Sequence, residues 1–333
     1  MTSIPPNLWP DQLNFKPNKW TVLERFVKQF SPAACQMHYK AEAKLKYSAC
    51  GFLVFLGSQL KLQPAAIFRA TLLFHRYCLV EPVRDKLHNN QIATACLFVA
   101  CKLDDCIRNI KEVVIVALGI ISGKKEDGMS PAYWEWRDKL ALYEETVIKV
   151  LGFDLDVPAV FDELLEAFPR MSPQEETRAK KEHPEAPLTD LLFRAARSFL
   201  VEASKCGIFN TYEGETVMQT AIIYAAVCHK HKLAKNFLAD HGIRADLIKM
   251  YVCYFALYRA LADLVQVGAA DTKMLERVFI PFTKQKFVHY IDEDADDGSR
   301  LLRSEVSDIP DLLARKPKED RPEGDRKRAK TEI

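Results

Sequence analysis

The feature that most constrains the fold is the segment QIATACLFVACK at residues 91–102. Its apolar residues cover all sides of a helix rather than one face, and five of its twelve residues are alanine or cysteine. A helix without a polar face must be covered by neighbours all round, and small side chains let those neighbours approach closely. The sequence therefore predicts that residues 91–102 form a buried central helix, with Asn89 and Asn90 as its candidate N-terminal caps.

A second segment of the chain has the same character. QTAIIYAAVCHK at residues 219–230 aligns without gaps to residues 91–102, with Gln, Ala, Val and Lys at matching positions. Each segment follows two helical stretches, and glycine is scarce, with 12 residues in 333. These patterns predict an all-α protein made of two similar units, each built around one central helix.

Proline and charge divide the rest of the chain into segments. Residues 169–187 are polar and contain four prolines, which is typical of a linker. Residues 291–333 are charged and poor in apolar side chains, so we expect a disordered tail. The predicted organisation is a leader with a short helix from Lys19 to Phe30 (1–39), a first unit (40–168), the linker (169–187), a second unit (188–290) and the tail (291–333).

Several classes of site lack their sequence signature. Cys96, Cys101 and Cys106 are five residues apart, so on a helix successive thiols are rotated by about 140° and do not converge on one metal ion. His229 and His231 likewise point away from each other. No glycine-rich phosphate loop, nucleophile elbow or zinc-protease motif is present. We therefore predict no catalytic, metal or cofactor site, and interpret the cysteines as core residues.

The location of the protein is also constrained. The longest apolar stretches, 92–101 and 221–228, are much shorter than a membrane span, and the N-terminus lacks the basic flank and apolar run of a signal peptide. We expect an intracellular protein with reduced thiols and no membrane partner.

The charged residues that end the central helix need an explanation. An isolated lysine such as Lys102 is ordinarily a solvated helix end. Glu144, however, lies within a second apolar helix, LALYEETVIKVLGF, at residues 140–153. If the two helices pack side by side, Lys102 and Glu144 can pair where they emerge. Such a pair adds little stability by itself, but it can orient polar groups toward a partner.

Four segments carry a family resemblance: IFRATLLFHRY (67–77), ATACLFVACKLDD (93–105), RNIKEVV (108–114) and YEETVIKVLGFDL (143–155). They resemble the cyclin box, strongly over 47–155 and more weakly over roughly 40–265. The resemblance implies two repeats of about five helices and a non-catalytic regulatory subunit that binds and activates a cyclin-dependent kinase. It implies kinase contacts through Lys102 and Glu144, with neighbouring contacts from Leu103, Asp105, Phe68, Leu140, Val147, Ile148 and Phe153.

Departures from the family pattern favour its transcriptional branch. Asp104 and Asp105 stand where related cyclins usually carry two glutamates, and helix 42–60 lacks the substrate-docking patch of cell-cycle cyclins. The sequence resembles cyclins K, T and L and, most of all, the cyclin subunit of the fungal kinase complex that phosphorylates the RNA polymerase II C-terminal domain. Cyclins C and H remain open. This resemblance implies a nuclear protein.

Two further features have alternative interpretations. Basic clusters at 315–318 and 326–330 are typical of a bipartite nuclear-import signal, and equally of a solvated disordered end. Trp134 and Trp136 lie in an insertion at 122–137, where they can anchor a third subunit or pack locally.

Two other functions stay open on the sequence. One is a cyclin-fold transcription factor that binds DNA or other transcription proteins without a kinase. That function calls for a zinc ribbon and a basic stripe, whereas the first cysteine, Cys35, stands alone and the net charge is only +2, so we expect no direct nucleic-acid contact. The other is a helical enzyme or scaffold of unrelated fold.

Overall fold

The computed structural model describes residues 20–168 apart from residue 127, residues 186–231 and 233, and residues 247–271. The regular secondary structure in these ranges is helical. The helices are α1 (Glu24–Gln29), α2 (Tyr39–Gln59), α3 (Pro64–Val80), α4 (Lys86–Leu103), α5 (Ile110–Ser122), α6 (Pro131–Val150), α7 (Val160–Ala167), α8 (Ala186–Lys205), α9 (Gly214–Cys228) and α10 (Leu247–Gln266), with a 3-10 turn at Ile208–Asn210. None of them is both long and apolar enough to cross a bilayer.

Several predicted segments fall beyond these ranges. Residues 1–19 of the leader and the whole predicted tail at 291–333 lie outside the described residues. So does the predicted linker at 169–187, except for its last two residues, which begin α8. The predicted leader helix is shorter than expected because Val22 donates its backbone N–H to the Asn210 carbonyl at 2.7 Å, which holds the chain extended before α1.

The prediction of a buried central helix is confirmed in α4. Every residue from Asn89 to Cys101 is buried, and α4 packs against α2, α3, α5 and α6. The predicted caps are wrong, because α4 begins five residues earlier than the apolar run. Asp85 is the N-cap and accepts a hydrogen bond from the His88 backbone at 3.0 Å, whereas the Asn89 side chain bonds the backbone of Arg84.

The second central helix is α9. Residues Val217 to Val227 are all buried, and α9 packs against α8, α10 and α7. The internal repeat inferred from the sequence therefore corresponds to two helices in equivalent buried positions. In both, the absence of a polar face is satisfied by neighbours on all sides.

The two halves pack directly against each other within one compact unit. Phe68 of α3 makes edge contacts with Phe161 of α7 and with Phe209, at centroid distances of 4.8 and 5.0 Å. The His75 Nε2 atom lies 3.1 Å from the Lys205 carbonyl at the end of α8. Burial, assisted by the charge of Lys46, lowers the pKa of His75 to about 3, so this histidine is neutral at physiological pH.

Candidate functional site

The C-terminal end of α4 is closed by a tight backbone turn. Asp104 is the C-cap and Asp105 follows in the left-handed conformation, with φ of 50°. The Cys106 N–H then donates to the Cys101 carbonyl at 3.0 Å, a hydrogen bond that spans six residues and satisfies a carbonyl of the last turn. The turn leaves Lys102, Leu103 and Asp105 exposed at the surface.

Lys102 and Glu144 form an ion pair at this end. The Lys102 ammonium binds Glu144 Oε1, and it also lies 4.6 Å from the centre of the Phe98 ring. The Lys102 side chain is 48% exposed and the Glu144 side chain 18% exposed. A pair this accessible to water is worth at most about 1 kcal/mol of folding free energy. Its structural effect is to hold a lysine and a carboxylate together at the surface.

The end of α6 presents apolar side chains beside this pair. Ile148 lies one helical turn beyond Glu144 and is half-buried. Gly152 and Phe153 both have a φ of 61°, and the Phe153 N–H donates to the Ile148 carbonyl at 3.0 Å. A phenylalanine at positive φ is uncommon and costs about 1–2 kcal/mol. This phenylalanine is nevertheless 75% exposed, so no packing in the free chain accounts for the strain.

Three of the residues named from the sequence do not reach this surface. Phe68, Leu140 and Val147 are 5%, 1% and 0% exposed. Phe68 is held between the two halves by Phe161 and Phe209. Leu140 and Val147 lie on the buried side of α6, which packs against α4. In the free chain these three side chains belong to the core.

Three residues beside the site were not found from the sequence. Ile107 follows the turn and is 68% exposed, and an apolar residue in such a charged loop is a signal that could have identified it. Arg69 Nε binds Asp104 Oδ1 at 2.8 Å, and Arg108 donates to the Leu60 carbonyl at 3.3 Å. These two contacts tie the end of α4 to α3 and α2, but their partners are 35 and 48 residues apart, so spacing gave no indication of them.

The two tryptophans of the 122–137 insertion have different environments. Both lie in the first turns of α6, which begins at Pro131 after the N-cap Ser130. Trp136 is buried, whereas Trp134 is half-exposed and carries the Arg137 guanidinium 4.6 Å from its ring centre. Local packing is therefore the role of Trp136, and the surface-anchor interpretation applies to Trp134 alone.

Comparison with known families identifies the first half. Residues 20–156 match the family model described as "Cyclin, N-terminal domain". The matched range holds α1 to α6 and both members of the Lys102–Glu144 pair. The chain belongs to the cyclin family.

Two relatives and one solved structure place this cyclin further. It is 29% identical to Cyclin pch1 of Schizosaccharomyces pombe over 132 residues, which cover 38% of this cyclin and only 38% of pch1. It is 25% identical to the Bur kinase cyclin of Kluyveromyces lactis over 311 residues, covering 87% and 75% of the two chains. A chain in the crystal structure of the yeast RNA Pol II CTD kinase CTDK-1 complex is similar with a TM-score of 0.58, at 14% identity and 81% coverage of both chains. That likeness confirms the all-α cyclin fold in this chain.

Proposed function

We propose that this cyclin is the non-catalytic regulatory subunit of a cyclin-dependent serine/threonine kinase that phosphorylates the RNA polymerase II C-terminal domain. The observation that carries the proposal is the Lys102–Glu144 pair at the exposed end of an otherwise buried central helix. The choice of substrate is supported by the similarity to a chain of the CTDK-1 complex and by the long alignment with the Bur kinase cyclin.

The pair is suited to binding the backbone of a partner. The Lys102 ammonium has three N–H donors and the Glu144 carboxylate has two acceptor oxygens, so both keep hydrogen-bonding capacity after binding each other. A kinase segment beside its C-helix can accept from the lysine and donate to the carboxylate. Fixing that helix inward completes the lysine–glutamate pair of the kinase active site, which is how a subunit without catalytic residues activates its partner.

Exposed apolar side chains supply the rest of the proposed kinase-binding face. Leu103, Ile107 and Phe153 are exposed, and Ile148 is half-buried between Glu144 and Phe153. An apolar centre beside a few oriented polar groups is the usual composition of a specific interface. Asp105 lies at the edge of this face. The strain at Phe153 fits a side chain held outward for a partner.

The test is affinity purification of the intact protein from its own cells, with identification of the chains that co-purify. We expect a stoichiometric cyclin-dependent kinase with the unmodified protein and strong loss of it with Lys102→Ala or Glu144→Ala, because truncating one member of a charge pair that becomes desolvated costs about 2–5 kcal/mol. A matched control is Glu145→Ala, which removes one member of the exposed Lys149–Glu145 pair on the same helix.

The outcomes separate the candidate functions. Full kinase capture by both the Lys102→Ala and Glu144→Ala variants would overturn the site. Absence of any kinase, together with salt-dependent binding to duplex DNA, would favour the transcription factor without a kinase.

We also place the protein in the nucleus, since its proposed substrate is there. Deleting residues 315–333, which lie outside the described residues, is expected to weaken nuclear accumulation and to leave kinase activation intact. Unchanged localisation would contradict the import signal. Trp134 with its stacked Arg137 is the surface we propose for a third subunit, if the complex has one.

A further inference from the structure

Two cysteines meet across the turn that ends α4. In a helix end closed by a six-residue hydrogen bond, the side chains of the two bonded residues come into contact. Here those residues are Cys101 and Cys106, joined by the 3.0 Å bond between the Cys106 N–H and the Cys101 carbonyl. Their side chains also interact through a thiol hydrogen bond. Between them lie Lys102, Leu103, Asp104 and Asp105, so the pair brackets the charged end of α4.

The two thiols differ in their access to solvent. Cys101 is buried, and burial, followed by the neighbouring Cys106, raises its pKa to about 12. Cys106 is only half-buried. The Arg108 guanidinium donates to the Cys106 carbonyl at 3.3 Å, and a positive charge beside a cysteine favours its thiolate. An oxidant from solvent therefore reaches Cys106 first, with Cys101 directly behind it.

We propose that Cys106 and Cys101 are an oxidation site that closes into a disulfide when a hydroperoxide such as hydrogen peroxide reaches the turn. The Cys106 thiolate attacks one peroxide oxygen, so an S–O bond forms, the O–O bond breaks, and the departing hydroxide takes up the Cys106 proton as water. Cys106 is then a sulfenic acid. The Cys101 sulfur attacks the Cys106 sulfur, the S–S bond forms, the S–O bond breaks, and hydroxide leaves with the Cys101 proton as a second water.

This disulfide would alter the proposed kinase-binding face, a consequence that rests on the proposed function. An S–S bond is about 2.05 Å long, much shorter than the roughly 3.5–4 Å between atoms in non-bonded contact. The turn must therefore tighten, and Lys102 to Asp105 lie within the ring that it closes. We expect the oxidised cyclin to bind its kinase several-fold more weakly, and reduction to restore binding.

The decisive measurement is peptide mapping of the full-length protein. The protein is treated with hydrogen peroxide, alkylated and digested with trypsin without reductant. Trypsin cleaves after Lys86, Lys102 and Arg108, so Cys101 lies in peptide 87–102 and Cys106 in peptide 103–108. The disulfide joins these two peptides, and fragmentation of the joined species distinguishes Cys101 from Cys96.

We expect the joined peptide after peroxide, its loss with dithiothreitol, and its absence from the Cys106→Ser variant. Cys35→Ser, which removes an exposed thiol elsewhere, should leave the joined peptide unchanged. Peroxide treatment that yields no joined peptide, or a link through Cys96 or Cys35 instead, would overturn the proposal.

Kinase capture by the same samples tests the consequence. The cyclin is oxidised alone and freed of peroxide before the kinase is added, and Cys106→Ser should bind equally well with and without treatment. Equal binding by oxidised and reduced wild-type cyclin would overturn the regulatory role. If even the reduced cyclin captures no kinase, the proposed function fails, while the peptide map still decides whether the disulfide forms.

Discussion

In α4 the lysine shared by the two aligned segments, Lys102, lies on the last helical turn, whereas its counterpart Lys230 follows the end of α9 in the left-handed conformation, with φ of 53°. Both helices close with a six-residue hydrogen bond, from Cys106 to Cys101 in one and from His231 to Ala226 in the other. Because α4 continues to Leu103 while α9 ends at Cys228, the same alignment position provides a paired ammonium in one repeat and a turn residue in the other.

The buried parts of the two helices are alike because the same requirement acts on both. Each must be apolar on all sides to pack among its neighbours, and this is visible in the sequence. The end of each helix answers to no such requirement. One further turn of α4 brings Lys102 alongside Glu144, and the proposed site exists in the first repeat for that reason.

The largest expected effect tests the likeness of the two buried parts. Leu97→Ala in α4 and Ile222→Ala in α9 each remove a side chain that is 0% exposed. Each should lower the free energy of unfolding by about 2–5 kcal/mol, because the lost burial is compounded by a cavity. Urea unfolding measures the change, and Leu142→Ala, at an exposed position on α6, is the control. A loss well under 1 kcal/mol at Ile222 would mean that α9 is not a central helix.

A second effect tests whether the two repeats unfold together. His75 has a pKa of about 3 in the folded chain, below the usual value near 6.5, so between these pH values the unfolded chain binds a proton that the folded chain does not. Stability is therefore complete above about pH 6.5 and falls with pH by about 1.4 kcal/mol per unit.

Urea unfolding at pH 7, 6, 5 and 4 measures that dependence. His75→Gln should be less stable at pH 7 but show a shallower decline toward acid. Because His75 contacts the end of α8, we expect one transition for both repeats at each pH. Parallel acid dependences of wild type and variant would show that His75 is not the group responsible.

A third effect separates the two aligned lysines. Lys102→Ala should weaken kinase binding by about 2 kcal/mol, roughly 30-fold, whereas Lys230→Ala should change it by less than about 0.5 kcal/mol. Titration of purified kinase against each variant gives both values. If the two variants lost affinity equally, the difference between the helix ends would have no functional meaning.

The smallest effect concerns the left-handed residues of the two turns. Glycine adopts positive φ without steric cost, so Asp105→Gly and Lys230→Gly should each raise the free energy of unfolding, by about 0.5–1 kcal/mol. The gain should be larger at Lys230, because aspartate tolerates this conformation better than lysine. Thermal unfolding resolves the difference. Destabilisation by either glycine would mean that the native side chain contributes more than its strain costs.

The sequence was sufficient for the central helices and for the Lys102–Glu144 pair, because burial on all sides and an abrupt change to charge are both local patterns. It was insufficient for the face of α6. Leu140 and Val147 are close to Glu144 in sequence, yet they point into the core, and only the packing of α6 on α4 decides which side of the helix is covered. Contacts such as Arg69 with Asp104 join distant segments and leave no periodic trace.

The all-round apolar character of α4 also has a consequence for biosynthesis. One side of α4 is covered by α6, whose last turn ends roughly 50 residues after α4 does. At translation rates of about 5–20 residues per second, α4 leaves the ribosome roughly 3–10 s before its cover is complete. During that interval the nascent chain exposes a helix that has no polar side to turn toward water. We therefore expect ribosome-associated chaperones to engage this segment, and slowing translation between residues 104 and 150 to increase aggregation.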